Sequence, residues 1–239
     1  MTFFNTYLPF LSSAISFILA AFIFNRFAKR RGTHQLLWGI GMVFYGTGGF
    51  CEGYYGASGW NPLVFRLWYL CGAILVAAWL GQGTVYLLAK QKWAHTAMII
   101  LLVASIASAI YVFSFEIQAP TEALDELSGK VIYPSPKEGF SPRLITPIFN
   151  IYGTLGLVGG ALYSAWIFYR KRVLLHRTIG NILIAVGALF PAIGGGFSRM
   201  GIPNALYIPE FFGVVLIFAG FLRATTPMKE EEPQPASTD

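Results

Sequence analysis

The chain reads as an all-α, polytopic membrane protein, a bundle of seven transmembrane helices. Three observations predict this. Hydrophobic residues fill 55% of the 239 positions and charged residues only 12%, about half the roughly 25% charge of soluble domains. Mean hydropathy is +0.58. Apolar stretches of the ~20 residues that a spanning helix needs recur at 6–25, 35–55, 63–88, 95–115, 144–169, 178–198 and 205–224. Runs such as Ala97-Met98-Ile99-Ile100-Leu101-Leu102-Val103 do not alternate, which excludes an outer-membrane barrel. Residues 1–228 therefore form one membrane domain. The acidic, Pro-rich stretch 229–239 is a disordered cytoplasmic tail.

Span 1 carries no charge from Met1 to Tyr7, and its basic cluster follows the apolar run, so it is a spanning helix and not a cleaved signal peptide. Span 2 is Gly-rich, and Trp38, Tyr45 and Glu52 fall seven residues apart on one face. On span 3, Arg66, Tyr69, Gly72, Val76, Trp79, Gln82 and Tyr86 follow a 3.6-residue period, and Gln82 needs a partner in hydrocarbon. Span 4 is almost featureless. The connection 116–142 exceeds the 2–8 residues usual in bundles and reads as a solvated tether, with a lid as the alternative. Span 5 offers Asn150 and Thr154 together with the small residues Gly156 and Gly160. Span 6 holds Pro191 before Gly194, Gly195 and Gly196, and span 7 holds Glu210.

Twelve of the seventeen Lys and Arg residues follow spans 1, 3, 5 and 7, including Arg26, Arg30, Lys90, Arg170, Arg177 and Arg223. Their face is expected to be cytoplasmic, with the N-terminus outside and the C-terminus inside a plasma (cytoplasmic) membrane. The charge of +6 then reflects topology and contact with anionic lipid. No nucleic-acid partner is expected, because the basic residues lie in membrane-flanking loops.

Spans 1–3 and 5–7 share a pattern, with span 4 as a linker. Each triplet opens with an apolar helix ending in basic residues. A His (His34, His176) then precedes a Gly-rich helix that reaches Gly48-Gly49-Phe50 or Gly195-Gly196-Phe197. This predicts a 3+1+3 parallel internal repeat. The layout alone resembles that of small sugar carriers and microbial rhodopsins. No lysine lies between Lys171 and Lys229, so a retinal Schiff base on span 7 is excluded.

Four intramembrane charges, Glu52, Arg66, Arg199 and Glu210, lie towards the outer ends of their helices. Such groups face the interior and pair, so two ion pairs are expected. The expected ligand site is an outward-facing pocket of Glu52, Arg66, Tyr69, Trp38, Tyr45, Trp79, Gln82, Asn150, Arg199 and Glu210. Gly48, Gly49, Pro191 and Gly195 would supply gating flexibility. Its ligand would be a small lipophilic or amphipathic molecule, carried or sensed. The alternative is a non-catalytic subunit, docked through Gly156 and Gly160 on a membrane-protein partner or a second copy. An intramembrane enzyme comes third, since no nucleophile elbow, CxxC or phosphate loop occurs. No metal or cofactor is expected: His34, His95 and His176 have no embedded acid beside them. Cys51 and Cys71 are not expected to form a disulfide.

Overall fold

The structure is a computed structural model of the whole chain, and it describes residues 3–117, 119–120, 126–134, 141–170, 175–200, 202 and 206–225. Of residues 3–5, 131, 175 and 199 only the backbone is described. Among the described residues every regular element is helical. Seven long helices run Phe3–Arg30 (α1), Thr33–Ser58 (α2), Pro62–Leu88 (α3), Gln91–Ser114 (α4), Pro142–Arg170 (α5), Leu175–Arg199 (α6) and Tyr207–Thr225 (α7). The acidic tail lies outside the described residues.

Six of the seven are long and apolar enough to cross a membrane. The exception is α2, whose glycines, Gln35 and Glu52 lower its hydropathy. Its burial explains the difference. Gln35, Gly39, Gly41, Gly48, Gly49 and Glu52 are all buried, so neighbouring helices rather than lipid cover much of α2.

Local sequence sets several helix ends. Asn61 caps α3 by accepting from the N–H groups of Leu63 and Val64 at 2.9 and 3.1 Å, with Pro62 in the first turn. Ser141 and Pro142 open α5 in the same way. α2 stops at Gly59, whose φ of 79° suits glycine alone among common residues.

α1 packs on α2, α2 on α3, α3 on α5, α5 on α6, α6 on α7, and α7 returns to α1. These six helices close a ring. α4 lies outside it, against α3 and the first turn of α5. The outer face of α4 presents Ile99, Ile100, Val103, Ile106 and Ile110, as a lipid-facing helix should.

Lipid supplies no hydrophobic drive for helices to associate, so close backbone contact matters. A Cβ on Gly48 would lie 2.9 Å from Gly72 Cα, and one on Gly187 would lie 2.7 Å from the Gly213 carbonyl oxygen. Gly180 repeats the second contact against Gly220, so α6 and α7 meet through glycines seven apart on each helix. Gly156 and Gly160 face Gly81 and Thr84 of α3. Gly156 and Gly160 are thus used in packing within the chain.

Two helices widen into π-turns, α3 over Tyr69–Leu75 and α5 over Leu155–Gly159. Such turns leave carbonyls available to side chains. Asn150 uses this opening, donating from Nδ2 to the Ala73 carbonyl at 3.0 Å. Span 7, the supposed repeat mate of span 3, shows no π-turn.

Candidate functional site

Two places in the ring bring polar groups together, one at each end. The first lies where α2 ends and α7 begins. Glu52, on the sixth turn of α2, is only 2% exposed. Its Oε1 accepts from Trp68 Nε1 of α3 at 2.7 Å, while no donor reaches its Oε2. The Glu210 carboxyl of α7 stands within hydrogen-bonding reach of it. Two turns deeper on α2, the Tyr45 hydroxyl donates to the Glu210 backbone carbonyl at 2.8 Å. Side chain and main chain of Glu210 are therefore both tied to α2.

This end is covered by residues 126–134, around a one-turn helix Gly129–Ile132 capped by Ser128. Leu127 and Tyr133 are each 2% exposed. Tyr133 packs among Phe65, Tyr69 and Phe115, edge-on to Tyr69 and Phe115 and tilted to Phe65, with its ring centroid 4.7 Å from that of Tyr69 and 5.4 Å from the other two. Burial pushes the Tyr133 phenol well above its ordinary range. Glu126 accepts from Ser198 of α6, and the Tyr207 hydroxyl of α7 is hydrogen-bonded to the Leu127 backbone. These residues form a packed cover over the ring. The flanking stretches 121–125 and 135–140 lie outside the described residues.

The expected ion pairs do not form among Glu52, Arg66 and Glu210. Arg66 donates from Nη2 to the Phe115 carbonyl at 2.8 Å, beyond the end of α4, and its Nε has no acceptor. The two acids meet each other instead. The Arg199 side chain lies outside the described residues.

The other expected site residues are distributed among helix contacts. Tyr69, 4% exposed, accepts from the Thr146 hydroxyl at 3.0 Å. Trp79 Nε1 donates to Ser105 of α4 at 3.2 Å. Gln82, fully buried, donates to the Ala94 carbonyl at 2.8 Å and accepts from the Tyr152 hydroxyl, joining α3, α4 and α5. Gly49 presses on Pro9 and Ser13 of α1, and Pro191 lies beside Gly213. Gly195 has nothing near it among the described residues. Cys51 and Cys71 are buried and unbridged.

The second place is a cavity of about 60 Å³ inside the ring. It lies towards the end where α1, α3, α5 and α7 finish in basic residues. Leu19, Met42, Leu80, Leu157 and Phe221 wall it, and Trp38, Thr84, Ser164 and Asn181 supply polar edges. Trp38 Nε1 donates to the Leu80 carbonyl at 3.1 Å and to Thr84 Oγ1 at 3.3 Å. Among the described residues expected to bind ligand, Trp38 alone lines this cavity. The volume admits a few waters, at the ~10–15 Å³ each requires, or one end of an apolar molecule. A larger guest needs the helices to part.

Sequence reasoning missed Trp68, Glu126, Ser198 and Tyr207 at the acid end, and Thr84, Ser164 and Asn181 in the cavity. One signal was present. The apolar island Val131-Ile132-Tyr133 after the Ser128 cap marks a packed segment inside a polar connection. No group of three metal-ligating side chains occurs among the described residues. The chain matches no protein-family model, no curated protein and no solved structure.

Proposed function

We propose that this integral membrane protein binds a small apolar or amphipathic molecule inside its helix ring, as a carrier or sensor. The observation that carries the reading is the cavity itself. It is walled by helices from both three-helix groups, α1–α3 and α5–α7, and combines an apolar lining with a few polar edges, as small-molecule sites do. The basic end faces the cytoplasm, so the cavity is reached from inside while the cover of residues 126–134 closes the outside. In this reading Arg66, Tyr69, Arg199, Glu52 and Glu210 belong to the closed outer mouth, and Pro191 beside Gly213 marks the hinge of α6. The ring with α4 left outside is the arrangement that a 3+1+3 parallel repeat would build.

Native mass spectrometry of protein gently extracted from its own membrane tests the reading. A bound small molecule is expected on the wild type. It should be lost in Ala161→Trp, which fills the cavity, and weakened in Asn181→Leu, which keeps the volume and removes a polar edge. Retention of the same molecule by both variants, or its absence from every preparation, would overturn the proposal.

A further inference from the structure

We propose that the carboxyls of Glu52 and Glu210 form a proton-binding site that ties α2 to α7 and holds residues 126–134 closed over the ring. Glu52 Oε2 is buried without a donor, although its residue is only 2% exposed. The neighbouring group within hydrogen-bonding reach is another carboxyl, Glu210. An ionised carboxylate is an acceptor only, so the pair bonds only when it holds a proton. Trp68 Nε1 already occupies Oε1 at 2.7 Å. Among the described residues, the shared proton is therefore the remaining means of satisfying this buried oxygen.

Among the described side chains, the titratable groups around the pair do not replace that proton with a fixed positive charge. α2 contributes Tyr45 and Cys51, α7 contributes Tyr207, and the cover contributes Glu126, while Cys71 of α3 lies next to Cys51. Ser13 of α1 lies against Gly49 of α2, and α6 brings Ser198, bonded to Glu126, while the Arg199 side chain lies outside the described residues. Arg66 of α3 is engaged with Phe115.

Removing the proton leaves two carboxylates in buried contact, and their repulsion is little screened there. The start of α7 must then move from α2. Two links depend on that position: Tyr45 to the Glu210 carbonyl, and Tyr207 to the Leu127 backbone. They join α7 to α2 and to the cover, so deprotonation loosens the cover. The ligand of this site is a proton, and the inference stands independently of what the cavity binds.

The test uses the full chain in lipid nanodiscs. Infrared difference spectra across a pH titration should show one protonated-carboxyl band that disappears as pH rises. The band should be lost or shifted in both Glu52→Gln and Glu210→Gln, each of which supplies an amide donor in place of the proton. Opening is read on native Cys51, which packs in one cluster with Leu127 and Tyr133, by alkylation with a membrane-impermeant maleimide. Thiol reactivity itself rises with pH, so the measured quantity is the wild-type rate divided by the rate of each Gln variant with native melting behaviour. That ratio should climb several-fold over the interval in which the band disappears. A flat ratio, the absence of a titrating band, or a band unchanged in both variants would overturn the proposal. Closure that follows sodium concentration at fixed pH would do so too, assigning the site to a metal cation.

Discussion

Gln82 shows at the residue scale how hydrocarbon turns a polar side chain into a structural constraint. An amide on span 3 must find partners there, and it finds the Ala94 carbonyl and the Tyr152 hydroxyl. Gln82→Leu removes both bonds and should cost about 1–3 kcal/mol, read as a lower melting temperature in detergent. Tyr152→Phe removes one bond and should cost less, and the double variant should be less destabilised than the two singles added. Independent, additive effects would mean that the two groups do not share a bond. The need for a partner was legible in the sequence, but the identity of the partner was not. Arg66 makes the same point from the other side. Pairing buried acids with buried arginines follows from charge alone, yet Arg66 is engaged by a backbone carbonyl at Phe115. Every residue carries a carbonyl, so no pattern of residue types reveals which one is used.

The helices divide the glycines into two kinds that the sequence does not distinguish. A Cβ on Gly153 would overlap the backbone of Ala77 in α3, whereas one on Gly195 would meet nothing among the described residues. Gly153→Ala should therefore destabilise the fold by the ~1–3 kcal/mol typical of overpacking. Gly195→Ala should be neutral, or stabilise by up to about 1 kcal/mol through helix propensity. Thermal unfolding of the two variants side by side checks the contrast. Loss of function in Gly195→Ala without loss of stability would assign that glycine to motion instead. A Gly-rich helix announces close approach to something, but which neighbour it meets depends on rotation about the axis. The spacing of Gly180 to Gly187 and of Gly213 to Gly220 was readable as a seven-residue interval. Its antiparallel match across α6 and α7 appears only once the helices are placed. The 116–142 connection misled for a related reason. Its prolines and charges dominate the composition, while Leu127 and Tyr133 carry the packing.

At the scale of the whole molecule, hydropathy foretold the helical bundle, because lipid imposes that requirement on each segment separately. The ring was less accessible, since which helix lies inside depends on contacts between segments. α2 is the clearest case: its reduced hydropathy signals burial, and the structure covers it with α1 and α3. The ring also makes sidedness testable at a few positions. Arg26 Nη1 donates to the Thr225 carbonyl at 3.4 Å, so the ends of α1 and α7 meet at the basic end. Ser58 and Lys130 are exposed at the opposite end. Under the bias of Lys and Arg towards cytoplasmic loops, Ser58→Cys and Lys130→Cys should react with an impermeant maleimide on intact cells. Arg31→Cys and Lys90→Cys, exposed at the basic end, should react only after permeabilisation. Native Cys51 and Cys71 are buried and contribute little background while the cover is closed. The reverse labelling pattern would place the cavity on the outside and the acid pair within, inverting the direction of the proposed function while leaving the ring intact. Labelling of Ser58→Cys and Lys130→Cys from opposite sides would instead break the ring, because the packing of residues 126–134 on α3 requires both positions at one end.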